Sequence, residues 1–146
     1  MKEWNPRVRS VLDQLQSNNM KITFDLYMVL IDSYGRKGEI AAMFKYYQQM
    51  LADGFEPNAQ TYNSLIDSFA KRRENAEVEK YYAEMRSKDF LPTAPTFASV
   101  FEGFAKRNDL PKVLHYLDDM RTLRVEPDIY VLNTLCDSFG RAVFKN

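Results

Sequence analysis

Apolar residues recur along this chain with two superposed periods. The short period is helical. Tyr62, Leu65, Ile66 and Phe69 stand at i, i+3, i+4 and i+7, one face of a helix. Val78, Tyr81, Tyr82 and Met85 repeat that spacing, as do Met43, Tyr46, Tyr47 and Met50, and Val113, Tyr116, Leu117 and Met120. Val8, Val11, Leu12 and Leu15 form a matching stripe near the N-terminus. The long period is 35 residues. It relates Tyr27, Tyr62, Phe97 and Leu132, then Leu30, Leu65, Val100 and Leu135, and then Tyr34, Phe69, Phe104 and Phe139. Met50, Met85 and Met120 follow it, and so do Pro57, Pro92 and Pro127. Each 35-residue unit therefore reads as two short amphipathic helices. Pairs of this size cannot bury both faces alone and must stack on their neighbours.

The predicted architecture is all-α, a right-handed α-solenoid of antiparallel helix pairs. A single array is expected over 1–146. It comprises a lone second helix (partial repeat 4–23), full repeats 24–58, 59–93 and 94–128, and a lone first helix (partial repeat 129–146). Gly38 suits a left-handed helix end, and Asp109 with Pro111 suits a helix start. Asn58, Thr93 and Asp128, each following a proline, suit helix N-caps. Phe139, Val143 and Phe144 have no following helix to cover them, so the sequence reads either as an excerpt of a longer array or as a chain whose open ends pair with a protein partner or a second copy.

The aromatic residues at Tyr27, Tyr62, Phe69, Phe97 and Phe104 belong to the stripe and are expected in the core, as are the recurring methionines. Leu117 and the single cysteine, Cys136, are expected inside as well, and the single histidine, His115, at the surface. One histidine and one cysteine are too few for a disulfide framework, a zinc site or most histidine-based catalysis. No nucleophile–base pair or phosphate loop appears, so no enzyme, cofactor or metal is expected. No apolar run is long enough to cross a membrane. Twenty basic and 20 acidic residues balance, but not evenly. The first helices carry net charges of 0 (24–37), +2 (59–73), +1 (94–107) and +1 (129–146). Positive charge sorted onto one strip suits an anionic polymer laid along it.

A 35-residue helix pair that opens Tyr62-Asn63-Ser64-Leu65-Ile66-Asp67, ends its first helix near Lys71, carries Glu84-Met85 late in its second and places Pro92 next to last resembles the pentatricopeptide repeat, or PPR, of the plain P class. The tetratricopeptide repeat has a shorter period and wants a small residue after the first-helix Leu, where this chain has Ile31, Ile66 and Phe101. The resemblance implies a non-catalytic partner of single-stranded RNA, one repeat per base, acting in RNA stability, splicing or translation in the mitochondrion or chloroplast. It implies base reading by the residue after the helix-opening Tyr (Met28, Asn63, Ala98, Asn133) and by the last residue of the repeat (Asn58, Thr93, Asp128). Asn63 with Thr93 is close to combinations that take pyrimidines, whereas Met28 with Asn58 and Ala98 with Asp128 depart from the family's pattern. Gln60 and Tyr130 hold the base-stacking position. Arg36, Lys71, Lys106 and Arg141, all 35 apart, hold the phosphate position. The same basic row would also complement helix dipoles, and the N-terminal caps need no RNA to explain them. A structural scaffold within a larger organelle assembly, such as a ribosome, is the alternative function.

Overall fold

In a computed structural model, the described residues, 6–144, form eight helices and no strand. The side chains of 6–9, Val11, Gln16 and 141–144 lie outside the description, and with them the expectations for Val8, Val11, Arg141, Val143 and Phe144. The helices are α1 (Pro6–Ser17), α2 (Phe24–Lys37), α3 (Ile40–Ala52), α4 (Ala59–Lys71), α5 (Asn75–Ser87), α6 (Ala94–Lys106), α7 (Leu110–Thr122) and α8 (Ile129–Phe144). They fall into two compact units, 1–56 and 57–146.

In the first unit α2 packs on α3. Thr23 caps α2 by accepting from the Leu26 N–H at 3.2 Å. Tyr34 and Tyr46 stack across the pair with centroids 5.5 Å apart, and Tyr27 meets Phe55 edge-on. In the second unit the first helices α4, α6 and α8 lie side by side, and α5 and α7 pack behind α4 and α6. The stacked pair recurs there one period later each time, as Phe69 on Tyr81 (5.6 Å) and Phe104 on Tyr116 (5.5 Å). Tyr62, Leu65, Phe69, Tyr82, Met85, Phe97 and Phe104 are buried as the stripe requires, and so are all three recurring methionines. Leu117 is only half-buried, because Val113, Tyr116 and Met120 already fill the face of α7 that meets α6.

Both loop types reverse through one residue with positive φ, again 35 apart. Gly38, Arg73 and Asn108 end first helices, with φ of 79°, 59° and 56°. Asn19, Gly54, Asp89 and Arg124 end second helices, with φ of 54°, 91°, 63° and 57°. At each end a six-residue backbone bond closes the turn: Glu39, Glu74 and Asp109 N–H donate to the carbonyls of Tyr34, Phe69 and Phe104, and Phe55, Phe90 and Val125 to those of Met50, Met85 and Met120.

α8 has one covered face and one open one. Val131, Leu135 and Ser138 are buried. Leu132 is 47% exposed where its equivalents Tyr27, Tyr62 and Phe97 are 0%. Cys136 is exposed too, against the expectation of a core thiol. Its equivalents Ile66 and Phe101 are buried on the face that packs toward a second helix, and no described helix stands in that place beside α8.

The left-handed loop residues set a stability prediction. A Cβ at Gly54 would meet nothing within 4 Å, so Gly54→Ala should cost about 1 kcal/mol through backbone strain alone. Arg124→Gly, at the equivalent place, should be neutral or stabilising by a few tenths of a kcal/mol. Urea denaturation of both variants checks the pair, and equal losses from both would contradict it.

Candidate nucleic-acid interface

Each first helix carries a column of three residues spaced by four. Four residues is just over one helical turn, so a column lies along one face. In α4 it is Asn63, Asp67 and Lys71; in α6, Ala98, Glu102 and Lys106; in α8, Asn133, Asp137 and Arg141; in α2, Met28, Asp32 and Arg36. The top residue is the base-reading candidate and the bottom one the phosphate candidate, about 12 Å apart along the axis. Between them stands a carboxylate.

That carboxylate pairs with the cation below it. Arg36 lies 3.0 Å from Asp32, Lys71 3.1 Å from Asp67, and Lys106 2.9 Å from Glu102. Exposed pairs of this spacing add only about 0.3–0.5 kcal/mol each. Their larger effect is to tether each cation and offset its charge. The spacing of four was present in the sequence and was the signal for these pairs.

Within the second unit, hydroxyls from the following helix tie the columns together. Ser99 donates to Asp67 at 3.0 Å, Tyr130 to Glu102 at 2.9 Å, and Thr96 to Asn63 Oδ1 at 2.6 Å. Glu102 is thus shared between Lys106 on its own helix and Tyr130 on the next. Burial pushes its carboxyl up. The hydrogen bonds from Lys106 and Tyr130, with the charges of Lys106 and Lys71, more than offset this and hold it below the ordinary glutamate value. The hydrogen bond to Glu102, with burial behind it, keeps the Tyr130 hydroxyl protonated to higher pH than usual.

The base-reading candidates divide by chemistry. Asn63 is half-buried and polar, and Asn133 is exposed. Met28 and Ala98 keep 7% and 4% of their surface and carry no side-chain hydrogen-bond donor, so neither can match a base edge as an amide can. At the last repeat position, capping is observed. Asn58 Oδ1 accepts from the Thr61 N–H at 3.0 Å, Asp128 Oδ1 accepts from the Val131 N–H at 2.8 Å, and the Thr93 N–H donates to Thr96 Oγ1 at 3.1 Å. Of the stacking candidates, Gln60 is exposed, and Tyr130 keeps its ring exposed while its hydroxyl is held by Glu102. Beyond the columns, Arg107 folds back so that Nη2 donates to the Arg73 carbonyl at 2.7 Å. His115 is exposed and meets Tyr116 edge-on. Among the described residues no cluster of His, Cys, Asp and Glu is arranged to hold a metal, and no helix is long and apolar enough to cross a membrane.

Paired helices on a 35-residue period, with a polar column on every first helix, define an α-solenoid repeat protein. A profile of the PPR repeat family matches residues 25–71 and 61–106, more than half of the sequence, and the chain belongs to that family. No curated protein matches it. Among solved structures it is similar to PPR10 in complex with an 18-nucleotide psaJ RNA element, at 26% identity and a TM-score of 0.78, over 87% of this chain and 19% of that one. PPR10 from maize shows 22% identity and a TM-score of 0.68, over 94% of this chain and 20% of that one. The PPR domain of Arabidopsis thaliana protein-only RNase P 1 in complex with tRNA shows 16% identity and a TM-score of 0.72, over 96% of this chain and 74% of that one. The chain thus spans about a fifth of the length of PPR10.

The Glu102 environment predicts a pH effect. Its folded-state carboxyl binds a proton less readily than the unfolded one. The stability it contributes is therefore present above the unfolded value and lost as pH falls through the folded one. Between about pH 6 and about pH 3, Glu102→Gln should lose stability less steeply than the parent in urea melts. Parallel curves would contradict the assignment.

Proposed function

We propose that this chain is a non-catalytic module that binds single-stranded RNA along its first helices. The observation that carries the reading is the repeated column, which sets a cation row and a base-reading row about 12 Å apart along the helices. Phosphate contacts position a strand and base contacts specify it, and the two rows divide those tasks. The RNA-bound PPR10 structure supports the assignment by similarity. With Met28 and Ala98 at two reading positions, selectivity rests on Asn63 and Asn133, and the rest of the strand is held by shape and charge. The family implies a role in organelle RNA stability, splicing or translation, in the mitochondrion or the chloroplast. No catalytic group is assigned.

A second reading, a protein-binding scaffold, has one observation in its favour. Ile129, Leu132 and Cys136 leave an apolar strip open along α8, where a protein partner or a second copy would find cover.

The two readings separate on salt dependence. Single-stranded RNA affinity should fall with a log–log slope of about −0.7 per neutralised phosphate. Lys71→Ala should reduce the slope magnitude by about 0.7 and weaken all sequences alike. Asn63→Ala should leave the slope unchanged and cost most for RNAs carrying one particular base at one position. Fluorescence anisotropy over a salt series against random-sequence single strands, with duplex as control, reads both. A Lys71→Ala variant with unaltered affinity and slope would reduce the cation row to helix-end charge and put the scaffold reading ahead.

A further inference from the structure

A primary carboxamide can be read in two ways. Its oxygen accepts, its nitrogen donates, and a half-turn about the terminal bond exchanges them. Left to rotate, Asn63 would tolerate bases with opposite edge patterns. It is held instead. Thr96, on the following first helix, places Oγ1 2.6 Å from Asn63 Oδ1 as donor. The direction of that hydroxyl is itself set from behind, because the Thr93 backbone N–H donates into Thr96 Oγ1 at 3.1 Å. Thr93 Oγ1 also lies 3.3 Å from Thr96 Oγ1, but the contact with Asn63 Oδ1 is far shorter, so the hydroxyl hydrogen goes to Asn63 and Thr93 Oγ1 is left to donate. Thr96 is 1% exposed, so water does not compete for the bond.

We propose that Thr96 is a positioning residue for base recognition. From beneath the binding face it fixes the Asn63 carboxamide with its oxygen inward, so that the Nδ2 hydrogens meet the base. This rests on the RNA reading above and sharpens it: Asn63 then selects a base with a hydrogen-bond acceptor at the edge it faces. The α6 N-cap sets the Thr96 hydroxyl, and Thr96 sets Asn63, so the orientation originates in the backbone.

The repeat supplies its own comparisons. One period before Thr96 stands Thr61, which shares in the α4 capping box; the preceding reading residue is Met28, which has no amide to orient. One period after stands Val131, fully buried; the preceding reading residue is Ala98. A hydroxyl follows the asparagine, and a methyl replaces that hydroxyl after the alanine.

The test uses the full chain and a single strand selected by it from a random RNA pool. Asn63→Ala identifies the position at which base preference flattens. At that position, Thr96→Val should lower the ratio of best to worst base affinity by up to about tenfold, the worth of one hydrogen bond in recognition. Thr96→Ser should keep the ratio, and Thr61→Val should leave it unchanged while removing an equivalent cap. Without RNA, the Asn63 side-chain amide pair in 1H–15N spectra should be dispersed in the parent and collapse toward free-amide positions in Thr96→Val. Should Thr96→Val not fold, Ala98→Asn with Val131→Thr installs the same pair one helix along. The double variant should gain base discrimination at the neighbouring nucleotide that Ala98→Asn alone does not. A parent that binds strands and discriminates, with Thr96→Val discriminating equally well, overturns the role of Thr96 alone. A parent with no affinity for any single strand overturns the RNA reading and this role with it. An Asn63 amide already averaged in the parent overturns the positioning whatever the affinities.

Discussion

The packing of one aromatic ring on another inside each helix pair underlies the other features of this protein. Tyr34 on Tyr46, Phe69 on Tyr81 and Phe104 on Tyr116 stack nearly parallel at 5.5–5.6 Å, a contact worth about 0.5–1.5 kcal/mol beyond its burial. Each stack joins the C-terminal part of a first helix to its second helix, just before or after the left-handed turn. The rotation of the first helix is thereby fixed. Once the stripe of Tyr62, Leu65, Ile66 and Phe69 faces inward, Asn63, Asp67 and Lys71 are left for another face, and they share it because they are spaced by four. The candidate interface is thus the residue of core packing. The same logic explains α8, where Leu132 and Cys136 carry the stripe with no described helix to cover it.

Much of this was legible in the sequence, because it depends on spacing. The helix pairs, the buried aromatics and methionines, the glycine reversal at Gly38 and the caps at Asn58, Asp109 and Asp128 all follow from local pattern. The reversals at Arg73, Arg124 and Asp89 were not legible. Nothing in an arginine announces a positive φ; the neighbouring helices impose it, at a cost glycine would avoid. The carboxylate–cation pairs are visible as i, i+4 spacing, but spacing alone does not distinguish a pair from two solvated charges. The contacts of Thr96 with Asn63, Ser99 with Asp67 and Tyr130 with Glu102 join residues 28–33 apart in the chain. Only the stacking of first helices brings them together. Cys136 was misjudged because the pattern identifies an inward face without saying whether a neighbour covers it.

On the RNA reading proposed above, a chain with zero formal charge would have to hold a polyanion locally. Arg36, Lys71 and Lys106 each already have a carboxylate within about one turn, so an arriving phosphate would exchange one ionic partner for another. Bulk attraction is small, and the strand gains only where several exchanges occur in register. Nucleic acid that crosses the face at the wrong angle meets Asp67 and Glu102 as readily as Lys71 and Lys106. The carboxylate row would therefore act on the spacing of the phosphates, whereas the reading row would act on base identity.

The paired left-handed turns also bear on how such a chain can change over evolutionary time. Adding or removing one residue in either loop would break the backbone bond that closes the turn and displace the next helix relative to the one before. The stacked rings would then miss each other, and the polar column would rotate off the binding face. Single-residue insertions are therefore penalised at these turns, whereas duplication of a whole 35-residue block returns every helix to its place. Length in such a protein is inherited in steps of one repeat, and with it the number of polar columns.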